Sequence, residues 1–522
     1  MMMRWLAIGV LAVVVSFVFA NSTAFLGFAI NADTLYPALL MADLRADADA
    51  IFRFRPSRIP SFLPDLAVTL SLDALLGDWR LAFWGYGAVA FLLLSGIGGW
   101  IAARVFGRDS ASCGLTLALI LAVVMLGGVL HYENNPAGMF DLGLPVNLHL
   151  LLMLPVFQGG AFVIGLGVVS LVWWNARRVS PLGLIALSVL CAAAVASNKI
   201  VVAHAVLPAL IALADGVWRG RIARRPALLG AAAAAAGAAI GVAFADRAGR
   251  EAMPFIVADS FADNASTAIA ALPAQPVMLL MLLASLPLAL AFLLPHRAEA
   301  ALPRGADAAA FRFFVVVAAL ACGASLMITL ALYYLPLSWR YANPIAWWPL
   351  IFAAGLLRGR LAGASVVAVT MLVAVQAWPN RTLTPALLRW QPNVSACLDA
   401  ADPGFTLRAG LAGYWTARDM AAASQWRRQV EQLHQDGRAA LYINDPRSFV
   451  QQRHAPPGTP PPYTFIVLRG LDPAAIAAAY GVADRVLPCG DTDIWLYPNA
   501  RPPGQRLFDR LLAHSPELAL PP

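Results

Sequence analysis

The sequence predicts a mainly α-helical polytopic membrane protein, a bundle of about eleven transmembrane helices followed by a small extracytoplasmic α/β domain. Three observations carry this. Hydrophobic residues make up 60% of the 522-residue chain and charged residues 13%, with mean hydropathy +0.69, outside the range of soluble globular domains. Apolar runs approaching the roughly 20 residues that cross about 30 Å of hydrocarbon recur up to about residue 378. Beyond that point the chain turns polar and is punctuated by proline.

The first run, Trp5–Phe19 after Arg4 and ending Val18-Phe19-Ala20, has the outline of a secretory signal. It reads better as an uncleaved first span, because the loop after it makes sense only if tethered there. The expected spans are about 5–20, 82–103, 111–130, 152–174, 181–197, 200–217, 226–245, 276–294, 312–335, 343–357 and 361–378. Arginines set the topology. With Arg4 cytoplasmic, the loops carrying Arg104 and Arg108, Arg177 and Arg178, Arg219 to Arg225, Arg297 to Arg312, and Arg358 and Arg360 all fall on the cytoplasmic side. The net charge of +8 is thereby used for topology, and no nucleic-acid motif appears. The expected location is the inner (plasma) membrane, with the tail periplasmic or extracellular.

The exception is the 31–80 loop, whose Arg45, Arg53, Arg55, Arg58 and Arg80 lie outside. Cations on the wrong side call for an anionic ligand. The expected domains are thus 1–378, membrane-embedded and including this loop, and 379–522, an α/β tail. In the tail, Ala421–Leu433 reads as a helix, and Ala439–Ile443, Tyr463–Leu468 and Asp493–Tyr497 as strands. Cys113, Cys191 and Cys322 lie in apolar runs and read as core. Cys397 and Cys489 are expected to form a disulfide if the tail meets an oxidising compartment; two unpaired thiols are the alternative.

Asp33 taken alone fits a helix N-cap. Its context is richer: Asp33 with Tyr36, a basic proline turn (Arg58, Pro60, Pro64), a Leu-rich helix ending Leu75-Leu76-Gly77, then a span closing in Ala103-Arg104. Ser197-Asn198-Lys199-Ile200 and Arg340-Tyr341-Ala342-Asn343-Pro344 follow later. In this order the segments resemble the type C polytopic glycosyltransferases (GT-C) that use polyprenyl-phosphate sugars, near the protein O-mannosyltransferases and lipid A aminoarabinose transferases. Ser197 to Ile200 is similar to the family's Thr-Lys-Gly segment, and Arg340 to Pro344 to its Arg-Tyr-x-x-Pro segment. The resemblance spans roughly residues 1–378 and excludes the tail.

The resemblance implies an inverting glycosyltransferase that moves a sugar from a polyprenyl-phosphate donor to a hydroxyl of a glycan, lipid or protein acceptor. A carboxylate takes the acceptor's proton, and cations stabilise the departing phosphate. Asp33 matches the general base. Arg58 stands where the family holds the lipid phosphate, with Arg55 as substitute, and Tyr36, Lys199, Arg340 and Tyr341 are expected at the donor. Thr34 follows Asp33 where relatives often carry a second acid. His131 and Glu133 are expected to bind sugar hydroxyls or simply to end the third span in water, or to join Asp33 around a divalent metal (Mg or Mn); two potential ligands do not define such a site. Tyr414-Trp415 with Arg418 reads either as a sugar-stacking surface or as core. Two other functions fit a polytopic chain: a transporter or flippase of an envelope precursor, and a scaffold with a partner-binding tail. Broken paired helices and repeat symmetry, the marks of a transporter, are missing from the sequence.

Overall fold

The computed structural model describes every residue except 31, 56–59, 135–148, 157, 249–259, 272–275, 332–338, 358–366, 369, 372–374, 376–387, 389, 498–503 and 519–522. Its contacts divide the chain into two units: Met1–Phe25 with Ile59–Ala386, and Leu26–Arg58 with Leu387–Pro522. The division differs from the expected boundary near residue 378, because residues 26–58 group with the tail.

The first unit is helical. Met2–Ala20, Trp79–Phe106, Ser110–Asn134, Gly159–Arg177, Arg224–Ala248 and Ala308–Ala331 are long and apolar enough to cross a membrane. Pro181–Ser197, Val202–Trp218 and Leu279–Leu293 are shorter apolar helices, and Asn343–Leu356 completes the set. These coincide with ten of the expected spans, except that the helix expected from 152 begins at Gly159. The last expected span, 361–378, lies almost wholly outside the described residues.

Helices in lipid gain little from apolar burial, so they pair where small residues let backbones approach. Gly237 and Gly241, four apart on Arg224–Ala248, do this against Pro181–Ser197. A Cβ built at Gly237 would sit 2.2 Å from the Ser188 carbonyl oxygen, and one at Gly241 2.5 Å from that of Ala192.

The arginine-bearing loops are tied to one another. Arg4 pairs with Asp109 at 2.6 Å, Arg177 with Asp307 at 2.8 Å, and Arg221 with Glu299 at 2.7 Å. The Asp307 amide donates to the Val105 carbonyl at 3.2 Å, and Arg108 to that of Leu357 at 2.6 Å. Asp215 accepts from both Arg312 and Arg219, at 2.8 and 2.9 Å. The loops assigned to one side by charge thus meet as one group.

In the second unit five strands form one sheet: β1 (Ala409–Gly413), β2 (Gln429–Leu433), β3 (Tyr463–Val467), β4 (Arg485–Cys489) and β5 (Thr492–Leu496), in the order β2-β1-β3-β5-β4. β1 runs parallel to β2 and β3, while β5 is antiparallel to β3 and β4. Strand residues alternate between faces. Leu411 and Ile466 join the core on the side of helices Pro473–Tyr480 and Gln505–His514. Ala412, Phe465 and Val467 join the other, with helices Asn393–Ala401 and Tyr414–Ala423.

Two tail expectations are corrected. Ala421–Leu433 is not one helix: the helix ends at Ala423, Gln425 and Trp426 take φ of +52° and +62°, and β2 follows. Ala439–Ile443 is not a strand beyond an isolated bridge from Ala439 to Leu433. The Gln432 side-chain amide takes the carbonyls of Ala440 and Tyr442, which a ladder would otherwise use, and Ile443 has φ +50°. Tyr463–Leu468 and Asp493–Tyr497 match β3 and β5 closely.

Cys397 and Cys489 are bonded, their Cα atoms 5.8 Å apart, closing a loop of 92 residues between the helix Asn393–Ala401 and the end of β4. Closing so long a loop restricts the unfolded chain, so Cys397→Ser with Cys489→Ser is expected to cost about 2–4 kcal/mol. Thermal melts of the full chain with and without reductant check this: reductant should lower the wild-type midpoint and leave the double variant unchanged.

Candidate active site

Asp33 lies in the first turn of the helix Ala32–Ala46, partly exposed. Its Oδ1 accepts a hydrogen bond from the Tyr414 hydroxyl at 2.8 Å. Tyr414 opens the helix Tyr414–Ala423, where burial and the Asp33 charge push its phenol well above the usual range. It therefore remains a donor at working pH. The Tyr414 ring meets the edge of Trp415 at 5.1 Å and lies 6.1 Å from Tyr442. Trp415 is 56% exposed. Arg418, one turn on, is fully buried and donates to Gln432 Oε1 at 3.1 Å and to the Ile443 carbonyl. Arg418 is thus core, whereas Tyr414 holds the acid and Trp415 packs on Tyr414. A carboxylate positioned by a phenol can accept a hydroxyl proton.

Charge pairs hold this helix to the sheet. Asp43 accepts from Arg453 at 2.7 Å, and Arg453 reaches Glu431 on β2 at 3.4 Å. Burial pushes the Asp43 carboxyl up to about 6 against the pull of Arg453. Asn444 donates to the second oxygen of Glu431 at 2.9 Å, and its carbonyl accepts from the Arg55 amide at 2.8 Å. Arg53 pairs with Asp47 at 2.6 Å and Asp445 at 3.3 Å. Tyr36 is buried and stacks on Phe54, centroids 6.2 Å apart. Arg53 is committed to carboxylates. Arg55 is exposed. Arg58 lies outside the described residues.

The remaining expected site residues belong to the helical unit. Lys199 is exposed on the turn after Pro181–Ser197. Its neighbours fix that turn: Ser197 accepts from the Ser61 amide through its carbonyl (3.0 Å) and from the Leu63 amide through its hydroxyl (2.6 Å). Arg340 lies over the Tyr341 ring at 5.3 Å, and Asn343 accepts from Trp347 at 2.9 Å. Glu133 accepts from the Thr23 amide and hydroxyl at 2.5 and 2.9 Å, opening the helix Thr23–Ala29. That role is structural. His131 is exposed near the end of Ser110–Asn134. Among the described residues no group of three or more His, Cys, Asp or Glu is gathered to hold a metal ion.

Sequence reading missed Asp65. It is buried, accepts from the Tyr86 hydroxyl and from the Val156 amide at 2.9 Å, and packs so closely on Gly160 that a Cβ there would overlap its carboxylate. Its only signal was an acid between Pro64 and Leu66. Asp419, on the helix that carries Tyr414, was also missed. Its Oδ1 is buried without a hydrogen-bond partner among the described residues, and burial pushes its carboxyl up to about 7 despite Arg469.

Asp419 gives a pH prediction. The unfolded chain loses this proton near pH 4 and the folded one near 7, so stability falls as pH rises between them and levels above. Asp419→Asn is expected to flatten that slope, adding on the order of 2–4 kcal/mol above pH 7 and nothing below pH 4. Chemical unfolding of the full chain at pH 4, 6 and 8 tests it.

Two solved structures are similar to this chain: ArnT from Cupriavidus metallidurans in the apo state (13% identity, TM-score 0.49) and bound to undecaprenyl phosphate (14%, 0.51). Each alignment covers 94% of this chain and 97% of that one. No family model and no curated protein matches the sequence. The likeness to the undecaprenyl-phosphate-bound structure agrees with the fold expected from the sequence, a polytopic helical bundle with a small α/β domain.

Proposed function

We propose that the chain is an inverting membrane glycosyltransferase, moving a sugar from a polyprenyl-phosphate donor to a hydroxyl of an envelope glycan, lipid or protein at the outer face. One observation carries the reading: Asp33, at the position the family gives its base, is held by the Tyr414 hydroxyl beside the exposed Trp415. The fold shared with an ArnT bound to undecaprenyl phosphate supports the donor class.

In the proposed reaction the acceptor oxygen attacks the anomeric carbon while its proton passes to the Asp33 carboxylate. The carbon–oxygen bond to phosphate breaks, and the polyprenyl phosphate leaves with the electron pair. Tyr414 keeps the carboxylate oriented by donating to Oδ1, a positioning that lowers the barrier without touching substrate. Trp415 offers its face to a sugar ring. Cations balance the charge arriving on the phosphate; by resemblance Arg58 is the first of these and Arg55 its substitute.

The test is the full chain in liposomes with an undecaprenyl-phosphate-linked sugar and an envelope extract. It is paired with mass spectrometry of envelope glycans from cells with and without the gene. Release of undecaprenyl phosphate matched by one sugar gained on the acceptor supports the reading. Identical glycans and an intact donor refute it. Movement of the intact donor across the bilayer would assign the transporter reading instead.

A further inference from the structure

The second unit contains a cavity that the transferase chemistry does not use. It encloses about 520 Å³, within the range of small-molecule sites. Four arginines line it: Arg45 from the helix Ala32–Ala46, Arg408 before β1, Arg427 before β2, and Arg453. His454 lines it too, and no carboxylate does. Asp43 and Glu431 are both bonded to Arg453.

Arg453 is fixed in the wall: its side chain is 7% exposed, with Nε and Nη2 spent on Asp43 and Glu431. Arg408 and Arg427 are exposed and can close on an anion in the cavity.

The rest of the wall is suited to a ring. Trp426 is buried against the cavity, and Phe405 carries the Arg427 guanidinium at 4.9 Å. Gln425 and Gln452 also line it, with amides of the kind that bond hydroxyls from either side. Gln425 and Trp426 are adjacent non-glycine residues in the left-handed region, a conformation that persists where surroundings enforce it and that clusters at binding sites.

We infer that this arginine-lined cavity of the second unit is a binding site for a phosphorylated saccharide, the phosphate meeting Arg408 and Arg427 and the ring meeting Trp426. The inference does not rest on the transferase reading, because binding is measured without turnover. Titration calorimetry on the full-length protein in detergent, with glucose 1-phosphate, inorganic phosphate and methyl glucoside, tests it. Glucose 1-phosphate is expected to bind at least about ten-fold more tightly than either fragment. Arg408→Gln with Arg427→Gln, both at exposed positions, should weaken it at least ten-fold with an unchanged melting midpoint, and Asp33→Asn should leave it alone.

Dodecyl glucosyl phosphate in nanodiscs identifies the source: tighter binding than the soluble probe assigns a lipid-borne head group, equal binding a soluble one, and either supports the site. Equal binding of inorganic phosphate reduces the cavity to an anion site and overturns the saccharide assignment. No binding, or binding indifferent to the arginine pair, overturns the whole.

Discussion

Asp33→Asn is expected to lower kcat for sugar transfer by about 10²–10⁴-fold, the range lost when a positioned general base is removed. KM for the lipid donor should change little, since the amide keeps the shape and still meets Tyr414. Tyr414→Phe removes only the hydroxyl that holds Oδ1. It should cost about ten-fold in kcat, or about 1.4 kcal/mol, with KM unchanged, as fits loss of one hydrogen bond that orients a reacting group. Steady-state kinetics on the reconstituted protein, with melting curves for each variant, check both. Full activity in Asp33→Asn would remove the base from the mechanism.

The second large effect is on stability. Arg453→Met takes away the cation between Asp43 and Glu431, which are 5% and 0% exposed. Breaking such a buried pair from one side leaves charge in a low dielectric and costs about 3–5 kcal/mol. The midpoint of the second unit should fall on the order of 10 °C. Adding Asp43→Asn should recover part of the loss, because the variant no longer strands that carboxylate. Since Asp43 anchors the helix bearing Asp33, transfer should fall with Arg453→Met at temperatures where the remaining fold persists. A melting curve indistinguishable from wild type would refute this assignment.

Much of the helical unit was legible because its signals are local. Apolar length located the helices, and arginines grouped the loops before Arg4–Asp109 and Arg177–Asp307 showed them bonded. The Cys397–Cys489 pairing was legible for a similar reason, two polar-region cysteines with no other candidate. The tail's interior was not. β1, Ala-Gly-Leu-Ala-Gly, has almost no intrinsic strand preference and is extended because β2 and β3 flank it. In β2, Gln429, Glu431 and Gln432 look like a solvated helix face, yet all are buried and satisfied by partners 8 to 24 residues on. Of the site, Asp33 was readable from motif order. Tyr414, 381 residues away, was noticed only as an aromatic neighbour of Trp415, since no local pattern can announce a partner so distant.

The grouping of residues 26–58 with 387–522 constrains how this gene can drift or be rebuilt. A chimaera that borrows its carboxy-terminal quarter from a relative imports a foreign Arg453 environment and orphans Asp43, unless the segment after the first span travels with it. Changes at one end of the reading frame should accordingly be answered at the other, and a library that diversifies the two stretches together should yield far more working clones than one that varies either alone.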